Sequence, residues 1–210
     1  MHLCFLKTGN LGVGPLIPCY GLAIVISFSA CGFRSIPQSK NNVEATAADL
    51  LNKYKRRAEL VPAVVAVVKG FATHEKDTLD AVMRARAKAT QMIAAGDITA
   101  QSEASLHELT RFSAAQENLT QALGKLTMRL ENYPDLKANR TFLSLNDQLV
   151  GSENRIMWAR KKHIAAIRQF NDLISTPPSS WTNAIFVHEK KLAQWASSHD
   201  DLNVTPNVDL

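Results

Sequence analysis

Apolar residues recur every three or four positions along most of this chain, and glycine and proline break the recurrence into four long segments. One face of an α-helix returns about every 3.6 residues, so the pattern predicts helices. From Val43, the residues Ala47, Leu50, Tyr54, Ala58, Val61, Val65 and Val68 mark the face of a first helix. Pro62 inside it removes one backbone hydrogen bond and predicts a kink rather than a stop. Gly70 predicts either a C-cap or a second bend, so whether the chain turns back there stays open. A second helix is expected from Thr73, as N-cap, to about Ala95, closed by Gly96-Asp97, with Leu79, Val82, Met83, Ala89 and Ile93 inward. In the third, Leu109, Phe112, Gln116, Leu119, Leu123, Leu126, Leu130 and Tyr133 alternate four and three apart, the seam of a bundle helix with Gln116 its polar knob. Asn132-Tyr133-Pro134 ends it, because the residue before a proline is pushed out of the α region.

A fourth helix is expected from near Asp135 to Ile174, with a stripe through Phe142, Leu145, Leu149, Ser152, Ile156, Ala159, His163, Ile167, Phe170 and Ile174. Four such stripes are most simply buried in an all-α, antiparallel four-helix bundle over residues 43–176. Pro177-Pro178-Ser179-Ser180 stops it, and residues 177–210 read as a tail with a weakly amphipathic piece around Trp181–Trp195.

The N-terminus follows another rule. No charged side chain lies between Lys7 and Arg34, and Leu22-Ala-Ile-Val-Ile-Ser-Phe is strongly apolar. A basic start, an apolar run and small residues at its end describe a secretory signal over residues 1–30. Phe28-Ser29-Ala30-Cys31-Gly32 resembles the bacterial lipobox, which makes Cys31 the expected lipidation site, although Phe28 departs from the usual aliphatic residue. Gly32 resembles the sorting pattern of outer-membrane lipoproteins facing the periplasm. The alternative is an uncleaved signal anchor. Arg34, Lys40, Lys53, Lys55, Arg56 and Arg57 outnumber Lys7, and the positive-inside rule would then place the helices in the cytoplasm. Residues 31–42 read as a polar tether.

The net charge of +5 is mild and the charges are interspersed, so a nucleic-acid partner is not expected. Cys4 and Cys19 fall within the expected signal, and no cysteine follows Cys31, which suits export without a disulfide framework. No Glu is followed three residues later by His, and no phosphate loop, nucleophile elbow or dinucleotide fingerprint occurs. No catalytic residue, metal site or cofactor is therefore expected. His163, on an apolar stripe, reads as a satisfied core histidine.

The polar residues near the seams carry two further expectations. Where the fourth stripe breaks at Ser152–Glu153, a partly buried polar layer is expected, drawn from Arg57, Arg86, Glu153 and Arg160. Lys53, Lys55 and Arg56 are candidates for contact with anionic headgroups. The leading function is a membrane-anchored interaction or scaffold bundle with a protein partner. The alternative is small-molecule binding in its interior, with Trp158, His163 and Gln116 as polar handles.

Several blocks together resemble the LemA family: Tyr54-Lys55-Arg56-Arg57-Ala58-Glu59-Leu60-Val61-Pro62, Val68-Lys69-Gly70-Phe71-Ala72-Thr73-His74-Glu75-Lys76, Asn132-Tyr133-Pro134-Asp135-Leu136-Lys137-Ala138-Asn139 and Glu153-Asn154-Arg155-Ile156 with Ala159-Arg160. The resemblance implies an antiparallel four-helix bundle tied to a membrane by its N-terminus, and no established catalytic residues. Two departures are the absence of an early tryptophan, where Asp49-Leu50-Leu51 stands, and the divergent segment Thr176–His188. The ending Pro206-Asn207-Val208-Asp209-Leu210 is again family-like.

Overall fold

The computed structural model describes the backbone of residues 16–94 and 106–193, with side chains from Arg34 to Ala94 and from His107 onward. The chain is all-helical, and no strand occurs among the described residues. Its elements are α1 (Leu16–Phe71), a 3-10 turn (Thr73–Glu75), α2 (Lys76–Ala94), α3 (Leu106–Leu130), the short α4 (Pro134–Lys137), α5 (Arg140–Ser175) and the short α6 (Ser179–Thr182), which runs into a wide turn, Asn183–Val187.

Cross-helix bonds give the directions. Thr46, Tyr54 and Arg57 of α1 meet His163, Arg160 and Glu153 of α5 in turn, so these two helices run oppositely. Arg86 reaches back to Ala58 while Leu79 packs near Val68, so the chain turns back after Gly70 and α2 opposes α1. The Tyr133 hydroxyl lies 3.4 Å from Glu75, which brings the end of α3 to the start of α2. Close backbone approach joins α5 to α1, α1 to α2 and α2 to α3.

The core is divided into three apolar layers. Leu60, Val61, Val64 and Val68 pack with Leu79, Val82, Leu119, Leu126 and Leu149 at one end. Leu50, Tyr54, Leu109, Phe112, Ile156 and Ala159 fill the middle. Ile36, Val43, Ala166, Ile167, Phe170 and Ile174 form the third. A polar level separates each pair. Arg57, Gln116 and Ser152 lie between the first two, and Thr46 with His163 between the second and third, all buried. Interiors tolerate such groups when they are hydrogen-bonded, and Thr46 Oγ1 sits 3.1 Å from His163 Nδ1.

Several expected boundaries move. Residues 34–42 of the expected tether are helical and part of α1, with Ile36 only 1 % exposed. Pro37 does not stop the helix, because Ile36, Val43 and Leu50 continue the seam at seven-residue spacing and bury against α5. Val64, not Val65, is sealed in the core, since a 57–61–64–68 path follows the seam. Thr73 opens the 3-10 turn and α2 begins at Lys76. Tyr133 lies past the end of α3. The last long helix starts at Arg140 rather than Asp135, because Asn139 caps it, its side chain accepting from the Phe142 N–H at 3.0 Å.

The described part of the tail, residues 177–193, returns to α1 and α5. Lys40 pairs with Glu189 at 2.6 Å, and the Asn171 side chain brackets the backbone of Leu192 with two 2.9 Å bonds. The expected signal up to residue 15, the side chain of Cys31, Gly96-Asp97, and residues 194–210 lie outside the described residues.

Candidate functional site

Arg57 is the largest fully buried side chain, 1 % exposed. A lone buried guanidinium would be strongly destabilising, so the surroundings must supply acceptors. Its Nη1 donates to Glu153 Oε1 at 2.5 Å and to Thr120 Oγ1 at 2.9 Å. Its Nη2 donates to the Gln116 side-chain oxygen at 2.6 Å and reaches the Gln116 carbonyl at 3.3 Å. The guanidinium also lies 5.5 Å from the centre of the Tyr54 ring, a cation–π contact. Tyr54 in turn packs edge-on against Phe112, ring centres 5.2 Å apart.

One turn up α1, the Tyr54 hydroxyl accepts from Arg160 Nη2 at 2.6 Å. Burial pushes the Tyr54 phenol above its ordinary pKa, with the neighbouring Arg160 opposing the shift. Of the four residues expected in a polar layer, Arg57 and Glu153 are brought together directly, and Arg160 joins them through Tyr54. Arg86 stands apart, donating from Nε to the main-chain oxygen of Ala58 at 2.8 Å. Tyr54 and Thr120 were not among the partners predicted from the sequence. The signal for Tyr54 was its place one helical turn before Arg57, and Gln116 was visible as the polar knob of α3.

Glu153 is the outward member of the pair, its side chain 38 % exposed. It opens onto a cleft of about 540 Å³ between α3 and α5, floored by Tyr54, Arg57 and Gln116 and walled by Ser113, Ile156 and Met157. The cleft presents acceptors and donors beside the apolar Ile156 and Met157, and it is partly open to solvent. Of the three expected polar handles, only Gln116 lies there. His163 is bonded to Thr46 in another layer, and burial holds its imidazole below the ordinary histidine pKa, a bond to the Val43 backbone opposing. Trp158 is 65 % exposed, with the Lys161 ammonium 5.5 Å from its ring centre.

Lys53 pairs with Asp49 at 3.1 Å and Arg56 with Glu59 at 3.8 Å along the surface of α1, while Lys55 is exposed. Among the described residues, no group of three His, Cys, Asp or Glu side chains could hold a metal ion, and no helix is long and apolar enough to cross a membrane.

In comparison with known proteins, the model of the LemA family matches residues 46–210. No curated protein matches the chain.

Proposed function

Because the chain belongs to the LemA family, we propose that it is a non-catalytic interaction protein of the cell envelope, an antiparallel four-helix bundle of α1, α2, α3 and α5 held at a membrane by its N-terminus. The opposed directions of successive helices support the bundle. The observation that carries the interaction role is on α5. Leu143, Val150 and Met157 recur every seven residues and are 45 %, 54 % and 58 % exposed, although the same helix buries its other face. A seven-residue apolar repeat on a long, rigid helix is the pattern that a partner helix packs against.

A photo-cross-linking amino acid at Val150 or Met157 in living cells tests this. Discrete protein adducts at both positions, missing from a control at Lys125 on α3, support the role. Equal labelling at all three, or none, removes it.

The anchor is proposed as a lipid on Cys31 of an exported chain, facing the periplasm from the outer membrane. The other arrangement is an uncleaved inner-membrane anchor with the bundle in the cytoplasm. Intact-mass analysis of membrane-extracted protein distinguishes them: a chain starting at Cys31 with added lipid mass, lost in Cys31→Ala, supports the first. An uncleaved chain in both supports the second.

One observation favours a second reading. The α3–α5 cleft is large enough for a small amphiphile. Native mass spectrometry of the protein as isolated would show a bound small molecule, absent from a Ser113→Trp variant that fills the cleft. An identical, ligand-free mass in both excludes it.

A further inference from the structure

α6 and the turn after it place three large apolar side chains in solvent. Trp181, Ile185 and Phe186 are 65 %, 65 % and 64 % exposed. Apolar side chains of this size gain by leaving water, so three left outward on one short segment ask what covers them. The segment is firmly held. Ser179 and Thr182 are buried, and Val187 and Leu192 pack on the layer of Ile36, Val43 and Phe170. The Asn183 side chain bonds the backbone of Glu189 on both sides, at 2.9 and 3.0 Å. His188 takes the left-handed conformation, φ 57°, and its N–H closes the wide turn onto Asn183.

Position supplies the answer. Continuing the register set by Thr46 opposite His163 and Arg57 opposite Glu153 puts Ser175, the end of α5, beside Arg34 and Ser35 of α1. Cys31 is one turn further along the same helix, about 6 Å at about 1.5 Å per residue. The α6 segment follows Ser175 at this same end. A lipid on Cys31 would hold this end against a bilayer, and so would an apolar run Leu22–Phe28 embedded as an anchor. Charge agrees. Glu189, the one carboxylate between Thr176 and Ala193, is paired with Lys40, while Lys190 and Lys191 are exposed. Tryptophan favours the interface between headgroups and hydrocarbon, and lysine the anionic headgroups.

We propose that Trp181, Ile185 and Phe186 form a second membrane contact, inserting into the interfacial zone of the bilayer that holds the N-terminal anchor. The proposal rests on the membrane-anchored reading above. Two attachments at one end, one through α1 and one through the α6 turn, set the tilt of the bundle on the membrane where a single tether would leave it free to swing.

The test uses the full chain reconstituted into phosphatidylethanolamine–phosphatidylglycerol vesicles, with Trp158→Phe and Trp195→Phe leaving Trp181 as the sole tryptophan. The expected result is co-flotation with the vesicles, a blue-shifted emission, and quenching of Trp181 by lipids brominated near the headgroup end of the acyl chain. Adding Ile185→Ser and Phe186→Ser, both at exposed positions, should leave flotation intact and abolish most of that quenching. A chain that floats while Trp181 stays open to aqueous acrylamide and unquenched by bromolipid overturns the second contact and leaves the anchor standing. Shielding from acrylamide without bromolipid quenching also overturns it, and means that protein covers the patch. A chain that does not float removes the anchored reading and this contact with it.

Discussion

Arg86 of α2 donates to the main-chain oxygen of Ala58 on α1 at 2.8 Å. That oxygen lies four residues before Pro62, which has no N–H to return the helical bond. The arginine therefore supplies, from a neighbouring helix, the donor that proline removed. The gap that Pro62 leaves in α1 and the contact between α1 and α2 are one device.

The first prediction follows from this pairing. Arg86→Met should destabilise the protein by about 1–3 kcal/mol, the penalty of a buried carbonyl left without a donor. In a Pro62→Ala background the helical N–H is restored and most of that penalty should vanish. Urea unfolding of the four proteins measures it. Equal losses in both backgrounds would sink the account.

Glu153→Gln leaves the Arg57 guanidinium buried with only neutral acceptors. Removing one partner of a fully buried pair costs about 3–5 kcal/mol. Glu153 is partly solvated, so roughly 1–3 kcal/mol is expected. Adding Arg57→Met, which takes the charge away altogether, should recover part of the loss. A melting temperature unmoved by Glu153→Gln would show that the carboxylate does not hold the layer.

His163 yields a pH dependence. Burial lowers its pKa in the folded state, so the unfolded chain binds the proton more readily. The stability it contributes is complete above the unfolded value, about 6.5, and is lost as pH falls below that value and through the lower folded one. Unfolding free energies at pH 7.5 and 5.5 should therefore differ more in the wild type than in His163→Leu. The same difference in both would mean that other groups carry the acid sensitivity.

Asn139→Ala removes the side chain that accepts from the Phe142 N–H at the start of α5. The expected loss is about 1 kcal/mol, with Asn139→Asp close to neutral. Hydrogen exchange should speed up first in the opening turn of α5. Unchanged exchange there would mean that the break at Ala138–Asn139 does not depend on the cap.

What was legible in the sequence was local. The stripes of Leu109–Leu130 and Phe142–Ile174 announced two long helices. Gln116 and Ser152–Glu153 announced where their apolar faces are interrupted, and the residue blocks announced the family. Each of these depends on a face returning every turn, a property that a helix has before it meets any neighbour. The extension of α1 through residues 34–42 had a visible signal too, the seven-residue spacing of Ile36, Val43 and Leu50, but Pro37 and the polar residues around it masked it.

Tertiary structure decided the partners. In sequence Glu153 was expected to meet an arginine of the first or second helix, with Arg57, Arg86 and Arg160 the candidates for the layer. Interhelical register gave Glu153 to Arg57, sent Arg160 to Tyr54, and sent Arg86 to the carbonyl freed by Pro62. It also folded residues 177–193 against α1 and α5 and left Trp181, Ile185 and Phe186 outward. Periodicity states which side of a helix is buried. How far one helix slides along another depends on packing summed over both, and a shift of a single turn would reassign every long polar side chain between them.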